Sequence, residues 1–204
     1  MSIVPLLETD CFDLSFDLDA FGELNLTMES KNLYIRSVRQ DDLDNFYSLF
    51  SDPVVMRKFA TGCTKDRDYC ASRINRWVNK FRANNPFSGF SIFSKDKANR
   101  KSYVGFAVLG GSLIQGFSEY AVALRKEFWG KGLGSEVTEL FLHTLAPAIK
   151  AKGYTVREFS FQAIEATARI DNFASNKMLQ NAGMQIVEQS KQYGSMRNHY
   201  QLRL

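Results

Sequence analysis

Nine residues, Phe128-Trp129-Gly130-Lys131-Gly132-Leu133-Gly134-Ser135-Glu136, constrain the fold of this chain more than any other stretch. Three glycines alternate with Lys131 and Leu133, after a strand-like segment, Glu119 to Leu124, and before a helical pattern. Glycine lets the backbone turn tightly and approach a ligand with no Cβ in the way. The helix start that follows offers unpaired N–H groups and the positive end of a dipole. Together they make an anion site, most often for phosphate. The run is not a Walker loop, because no Gly-Lys-Ser or Gly-Lys-Thr occurs. It is not a dinucleotide fingerprint either, because Gly130, Gly132 and Gly134 do not have the G-x-G-x-x-G spacing.

Trp129 to Gly134 resembles the Q/R-x-x-G-x-G/A loop of the GNAT superfamily of N-acetyltransferases, with Trp129 where Gln or Arg is usual. Trp129 to Glu136 is similar to the W-G-K/Q-G-x-x-[S/T]-E form of its ribosomal-protein-alanine N-acetyltransferase branch. A second match begins at Asn172: Asn172-Phe173-Ala174-Ser175-Asn176-Lys177-Met178-Leu179-Gln180-Asn181-Ala182-Gly183-Met184 resembles that branch's N-x-x-S-x-x-x-L-x-x-x-G-F. Leu33-Tyr34-Ile35-Arg36 is a weaker third, like an L-x-L-R first strand. The resemblance covers about residues 30 to 204.

The resemblance implies a single α/β domain whose mixed, mostly antiparallel sheet is flanked by helices and has a splayed central strand pair. It implies acetyl transfer from acetyl-CoA to a primary amine, with no metal and no covalent enzyme intermediate. The pyrophosphate then lies on Gly130, Lys131, Gly132, Leu133, Gly134 and Ser135, chiefly on backbone N–H groups. Trp129 packs beneath that loop. Val122, Ala123 and Leu124 border the pantetheine arm on the strand before it. Glu119 is the candidate base, against the reading of an exposed strand glutamate. Ser175 is the candidate hydrogen-bond or proton donor to the sulfur, against the reading of a helix cap. Asn172 anchors the coenzyme, caps the same helix, or does both. The acceptor is a small-molecule or peptide amine, with a protein N-terminus as the nearest analogy, and the protein is a monomer or homodimer. The competing class is a non-catalytic acyl-CoA-binding or sensing module. A nucleic-acid-binding domain is a weaker third.

Charge narrows these classes. The seven acidic residues of positions 1–30, with no Lys or Arg among them, carry −7 within a net charge of +4, so the remainder carries +11. A basic body suits an anionic ligand such as coenzyme A. Its basic residues are scattered, which argues against nucleic acid. No apolar run reaches the ~20 residues of a membrane span, and no signal peptide is apparent. Cys11, Cys63 and Cys70 lack metal spacing, and only His143 and His199 accompany them, so no zinc site is expected and a reducing, cytoplasmic setting follows.

Alternation from Cys11 to Leu18 and from Glu23 to Met28 predicts an extra hairpin or dimer arm before the core, most simply an acidic edge on the sheet. If that extension, residues 1–29, borders the acceptor cleft, its field draws in cationic amines. Strands are then expected at Leu33–Val38, Gly89–Ser94, Tyr103–Leu109, Ser118–Leu124 and Arg157–Ala163, with a final hairpin of Met184–Gln189 and Asn198–Leu204. Helices are expected at Asp41–Phe50, stopped by Asp52-Pro53, and at Asp66–Arg82, with Tyr69, Ile74, Trp77, Val78 and Phe81 inward. A third runs from Ser135 toward Lys152, kinked or divided at Pro147 and capped by Gly153, and a fourth from Asp171 or Asn172 toward Gly183.

Overall fold

The computed structural model describes residues 13–96 and 98–204. Cys11 and Phe12, at the expected start of the first strand, lie outside them, as does Lys97. Strands β1 (Asp13–Leu18) and β2 (Leu24–Glu29) form a hairpin, its turn fixed where the Asp19 carboxylate accepts from the N–H groups of Phe21 and Glu23, both at 2.9 Å. Leu24, Leu26 and Met28 alternate into the core. Residues Thr27 to Glu29 pair with β3 (Leu33–Ser37), so the hairpin extends the sheet at one edge.

Helix α1 (Leu43–Phe50) ends before Asp52-Pro53 as expected, but the same pair opens a short helix, α2 (Pro53–Met56). The Asp52 carboxylate caps it by accepting from the Val54 N–H at 2.7 Å, and proline suits a first helical turn. Asp66 caps α3 (Arg67–Arg82) in the same way. Ile74, Trp77, Val78 and Phe81 are buried on it. Tyr69, expected inward, is 37% exposed, with the Lys65 and Arg73 cations over its ring.

An antiparallel meander follows: β4 (Gly89–Lys95), β5 (Lys101–Gly111) and β6 (Phe117–Leu124). Beyond the glycine turn, α4 (Leu133–Glu139) starts two residues earlier than expected and runs through a wide π turn, Leu140–Leu145, into α5 (Ala146–Ala151). Pro147 sits in the first turn of α5, so the proline divides the helix at a widened turn that does not need its missing N–H. The strand expected at Arg157–Ala163 is instead a small hairpin, β7 (Thr155–Val156) and β8 (Phe159–Ser160). Arg157 and Glu158 both take positive φ, 53° and 69°, which suits a two-residue hairpin turn. The sheet strand comes later, as β9 (Ala163–Arg169). Helix α6 (Phe173–Asn181) and the hairpin of β10 (Gln185–Gln192) and β11 (Ser195–Arg203) complete the chain.

Among the described residues the main sheet has nine strands, in the order β1-β2-β3-β4-β5-β6-β9-β11-β10. Neighbours are antiparallel except β6 and β9, which are parallel and paired only at Phe117–Ala163, Ser118–Ile164 and Glu119–Glu165. Adjacent β4 residues meet different helical neighbours. A Cβ on Gly89 would lie 2.5 Å from the Trp77 ring of α3, whereas Phe90 packs edge-on both to Phe141, with centroids 5.2 Å apart, and to Phe81 at the end of α3, at 5.5 Å. This region is tied down by a buried ion pair. Arg36 of β3 donates to both carboxylate oxygens of Asp42 at 2.8 and 2.7 Å, and Ser91 of β4 donates to the same carboxylate at 2.7 Å. Among the described residues no helix is long and apolar enough to cross a membrane.

Candidate active site

The parallel ladder stops at Glu119 and Glu165. Beyond it β6 keeps β5 as its neighbour and β9 keeps β11, so their facing edges are bare. The gap holds a cavity of about 100 Å³, lined by Glu119, Tyr120, Ala121, Val122, Ala166, Thr167, Ala168 and Arg197 among others. It adjoins a larger cavity of about 530 Å³, lined by Val122, Ala123, Leu124, Trp129, Gly130, Gly132, Leu133, Gly134 and Ser135. Asn172, Ser175, Lys58 and Phe59 line both. The larger volume is of the size that holds a small-molecule ligand.

The glycine turn forms one wall. Gly130 and Gly132 have φ of 72° and 78°, a region that side chains strain to adopt. Gly134 serves differently: a Cβ there would lie 3.3 Å from the Met178 sulfur, so its absence lets α4 seat against α6. Gly132 is the N-cap of α4, and the Glu136 N–H makes the first return bond, to the Gly132 carbonyl at 3.1 Å. The N–H groups ahead of it are the free donors of a helix start. Trp129 lines the larger cavity beside the loop. It is 45% exposed and its Nε1 donates to the Leu124 carbonyl at 2.7 Å, clipping the end of β6. The Lys131 ammonium lies over the Phe128 ring, 5.4 Å from its centroid, and its side chain does not line the cavity. Glu136 accepts from Ser30 and Asn32 and ties the β2–β3 turn to α4.

At the other end, Glu119 is half-buried in the smaller cavity. Burial pushes its carboxyl pKa up, and the facing Glu165 adds to the rise, against the opposing pull of Arg73 and Arg197. Tyr120, its neighbour, points the other way into the core, with its hydroxyl 3.0 Å from the Thr138 hydroxyl. Ser175 lies in the first turn of α6, between the two cavities. Its backbone N–H donates to the Asn172 side-chain oxygen at 3.5 Å, so the cap of this helix is Asn172 and not the Ser175 hydroxyl.

Sequence reasoning missed Asn176, which holds this corner together. Its amide donates to the carbonyls of Arg169 and Asn172, both at 2.8 Å, and its oxygen accepts from Asn198 and Tyr200, both at 2.7 Å. It directly follows Ser175 in the quoted motif, where a second amide four residues after Asn172 was the available signal. Lys58, Phe59, Tyr193 and Arg197 were also missed. His143 bonds the Ala182 carbonyl and His199 the Ser190 hydroxyl, both away from the gap. Cys63 is exposed, Cys70 is buried, and no group of three potential metal ligands occurs among the described residues.

The family model of the acetyltransferase (GNAT) domain matches residues 32–185 of this chain. The chain belongs to the GNAT family. It is an acetyl-CoA-dependent N-acetyltransferase with a single GNAT-fold α/β domain, in whose main sheet β6 and β9 form the parallel pair among the described residues. Solved structures share this fold at low identity. A GNAT acetyltransferase from Bacillus anthracis is 17% identical, with a TM-score of 0.66, over 87% of this chain and 98% of that one. RimL, a ribosomal alpha-N-protein acetyltransferase in complex with coenzyme A, is 13% identical, with a TM-score of 0.67, over 86% of this chain and 96% of that one. A ribosomal-protein-alanine acetyltransferase from Vibrio fischeri is 15% identical, with a TM-score of 0.65, over 87% and 96%. GNAT enzymes use acetyl-CoA, and the Gly130–Ser135 turn beside a cavity of about 530 Å³ suits its pyrophosphate and pantetheine arm.

Proposed function

We propose that residues 30–204 transfer an acetyl group from acetyl-CoA to a primary amine by direct attack in a ternary complex, with a protein N-terminal amine as acceptor. The observation that carries this reading is the junction of two cavities in the gap between β6 and β9, with free helix-start donors at one end and a half-buried carboxylate at the other. Acetyl-CoA supplies an acyl group activated as a thioester. Backbone N–H groups from Gly130 to Ser135 hold its pyrophosphate, and Val122, Ala123 and Leu124 border its arm. Asn172 caps α6 and orders Ser175 between the cavities. Glu119 takes the proton that the amine loses, directly or through water, as the N–C bond forms and the C–S bond breaks. The Ser175 hydroxyl donates to the sulfur as it gains negative charge. The acceptor assignment is supported by the resemblance to RimL and to the alanine acetyltransferase, whose named substrates are ribosomal proteins.

Positioning the two reactants contributes up to ~7–11 kcal/mol of barrier lowering, and a general base typically ~10²–10⁴-fold. The test is release of coenzyme A thiol from acetyl-CoA in the presence of short peptides with free N-termini, alkylamines and polyamines. Amine-dependent release, with the acetylated amine seen by mass spectrometry, is expected. Binding of acetyl-CoA without release on any amine would make the protein a non-catalytic acyl-CoA-binding module.

A further inference from the structure

The smaller cavity contains a charged donor that the reaction proposed above does not use. Arg197 of β11 lines it and is 5% exposed. Its Nε donates to the Thr167 hydroxyl at 3.0 Å and its Nη2 to the Thr167 carbonyl at 3.2 Å. Its Nη1 is buried with no hydrogen-bond partner among the described residues. A buried donor on a charged group, left unmatched, is among the more destabilising features a fold carries. The nearby Tyr193 ring, 5.5 Å from the guanidinium carbon, offers a π face but no directional acceptor. Lys58, the other cation of the lining, already meets the Asp171 carboxylate at 3.7 Å.

Strand register sets the distance of this donor from Glu119. Glu119 pairs with Glu165 across the parallel ladder. Thr167, to which the guanidinium is tied, stands two residues further along β9, and two strand residues are roughly 7 Å. That span fits an amine at Glu119 and, a few bonds away, an oxygen at Arg197. With Lys58 met by Asp171, Arg197 is the cation of the lining left with an open donor among the described residues.

We infer that Arg197 recognises the acceptor: its unmatched Nη1 donates to an oxygen beside the reacting amine, so the site takes an α-amino acyl group in preference to an alkylamine or polyamine. This deepens the reading under Proposed function and rests on it. The oxygen is the first carbonyl of a peptide or the carboxylate of a free amino acid, and Arg197 serves as a specificity-determining residue in either case.

The test compares wild type with Arg197→Gln and Arg197→Lys on four acceptors: an alanyl tripeptide, free alanine, propylamine and spermidine. Wild type should favour the alanyl compounds by ten-fold or more in kcat/KM, the range of a hydrogen bond to a charged group. In Arg197→Gln that preference, read as the ratio of kcat/KM for alanyl over alkyl acceptors within the same variant, should collapse toward one, mainly through a higher KM for the alanyl compounds. Arg197→Lys keeps the charge but loses the forked donors, and it should lose most of the preference too; it is the variant to use if the glutamine protein is unfolded by circular dichroism. The tripeptide and free alanine arms separate the two sources of the oxygen. Calorimetric titration of alanyl tripeptide and propylamine into the protein with coenzyme A gives the same comparison without turnover. Equal use of alanyl and alkyl acceptors by wild type, a preference retained in folded variants, or binding of neither probe would each overturn the inference. Preferential tripeptide binding lost in the variants, without turnover on any amine, would uphold Arg197 recognition and overturn the catalytic reading instead.

Discussion

A carboxyl group is a useful base near neutral pH only if the fold makes its charged form uncomfortable, and Glu119 is held in that way. Burial and Glu165 raise its pKa above that of a free glutamate, so its conjugate acid is a weaker acid and the carboxylate a better base. Glu119→Gln should lower turnover at neutral pH by ten-fold or more, with acetyl-CoA affinity little changed; steady-state kinetics and coenzyme titration check both. The same strain has a thermodynamic sign. A raised folded-state pKa means that the native protein binds more protons than the unfolded chain above the ordinary carboxyl range, so this group's contribution to stability falls as pH rises through its folded pKa. Glu119→Gln removes that loss, and its melting temperature should exceed that of wild type at pH 7.5 while the difference fades toward pH 4. At Ser175 the helix cap runs from the backbone N–H to Asn172, so Ser175→Ala should alter stability by about 0.5 kcal/mol or less and reduce kcat more than coenzyme affinity. A variant that melts earlier and keeps its rate would return Ser175 to a structural role. The places of Glu119 and Ser175 beside the gap were legible because each stands at a fixed spacing from a motif. Arg197 was not, because its place depends on which strand β11 joins, and no local spacing carries that information.

Among the elements, the glycine turn matches its sequence most closely. A Cβ on Gly132 would meet open space, but the φ of 78° there means that a side chain acts through the backbone. Gly132→Val forces a β-branched residue into a left-handed conformation, at a strain of roughly 1–3 kcal/mol, or moves the N–H groups that follow. Acetyl-CoA affinity should fall ten-fold or more while the circular dichroism spectrum is preserved; unchanged affinity would remove the pyrophosphate from this turn. Legibility failed where local signals were ambiguous. Asp52-Pro53 ends one helix and starts another with the same two residues. The apolar stretch before Ala163 reads as a strand until Arg157 and Glu158 adopt positive φ and fold it into its own small hairpin.

In the molecule as a whole, the mixed, mostly antiparallel sheet and the N-terminal hairpin at its edge were both expected; which of the two edges the hairpin takes, and so its distance from the gap, was not. Strand β1 is separated from the gap by β2, β3, β4, β5 and β6, so the acidic residues of the described part of the hairpin do not border the acceptor cavity. The hairpin also places Leu24, Leu26 and Met28 in the core, so removing residues 1–28 exposes a packed face as well as subtracting charge. The first strand of the core, β3, is held by the Arg36–Asp42 pair, buried at 9% and 2% exposure. Asp42→Ala leaves that guanidinium without its counter-ion and should reduce unfolding free energy by about 3–5 kcal/mol, measured from denaturant midpoints.

The parting of β6 from β9 leaves two strand edges with unspent backbone groups. On the outside of a sheet such an edge is a template for aggregation, which proteins cover or interrupt with charge. Here the two edges face one another across the gap, each without a strand partner there. The geometry that shields these edges from foreign β-strands also limits what threads between them to something slender, linear and able to hydrogen-bond on both sides.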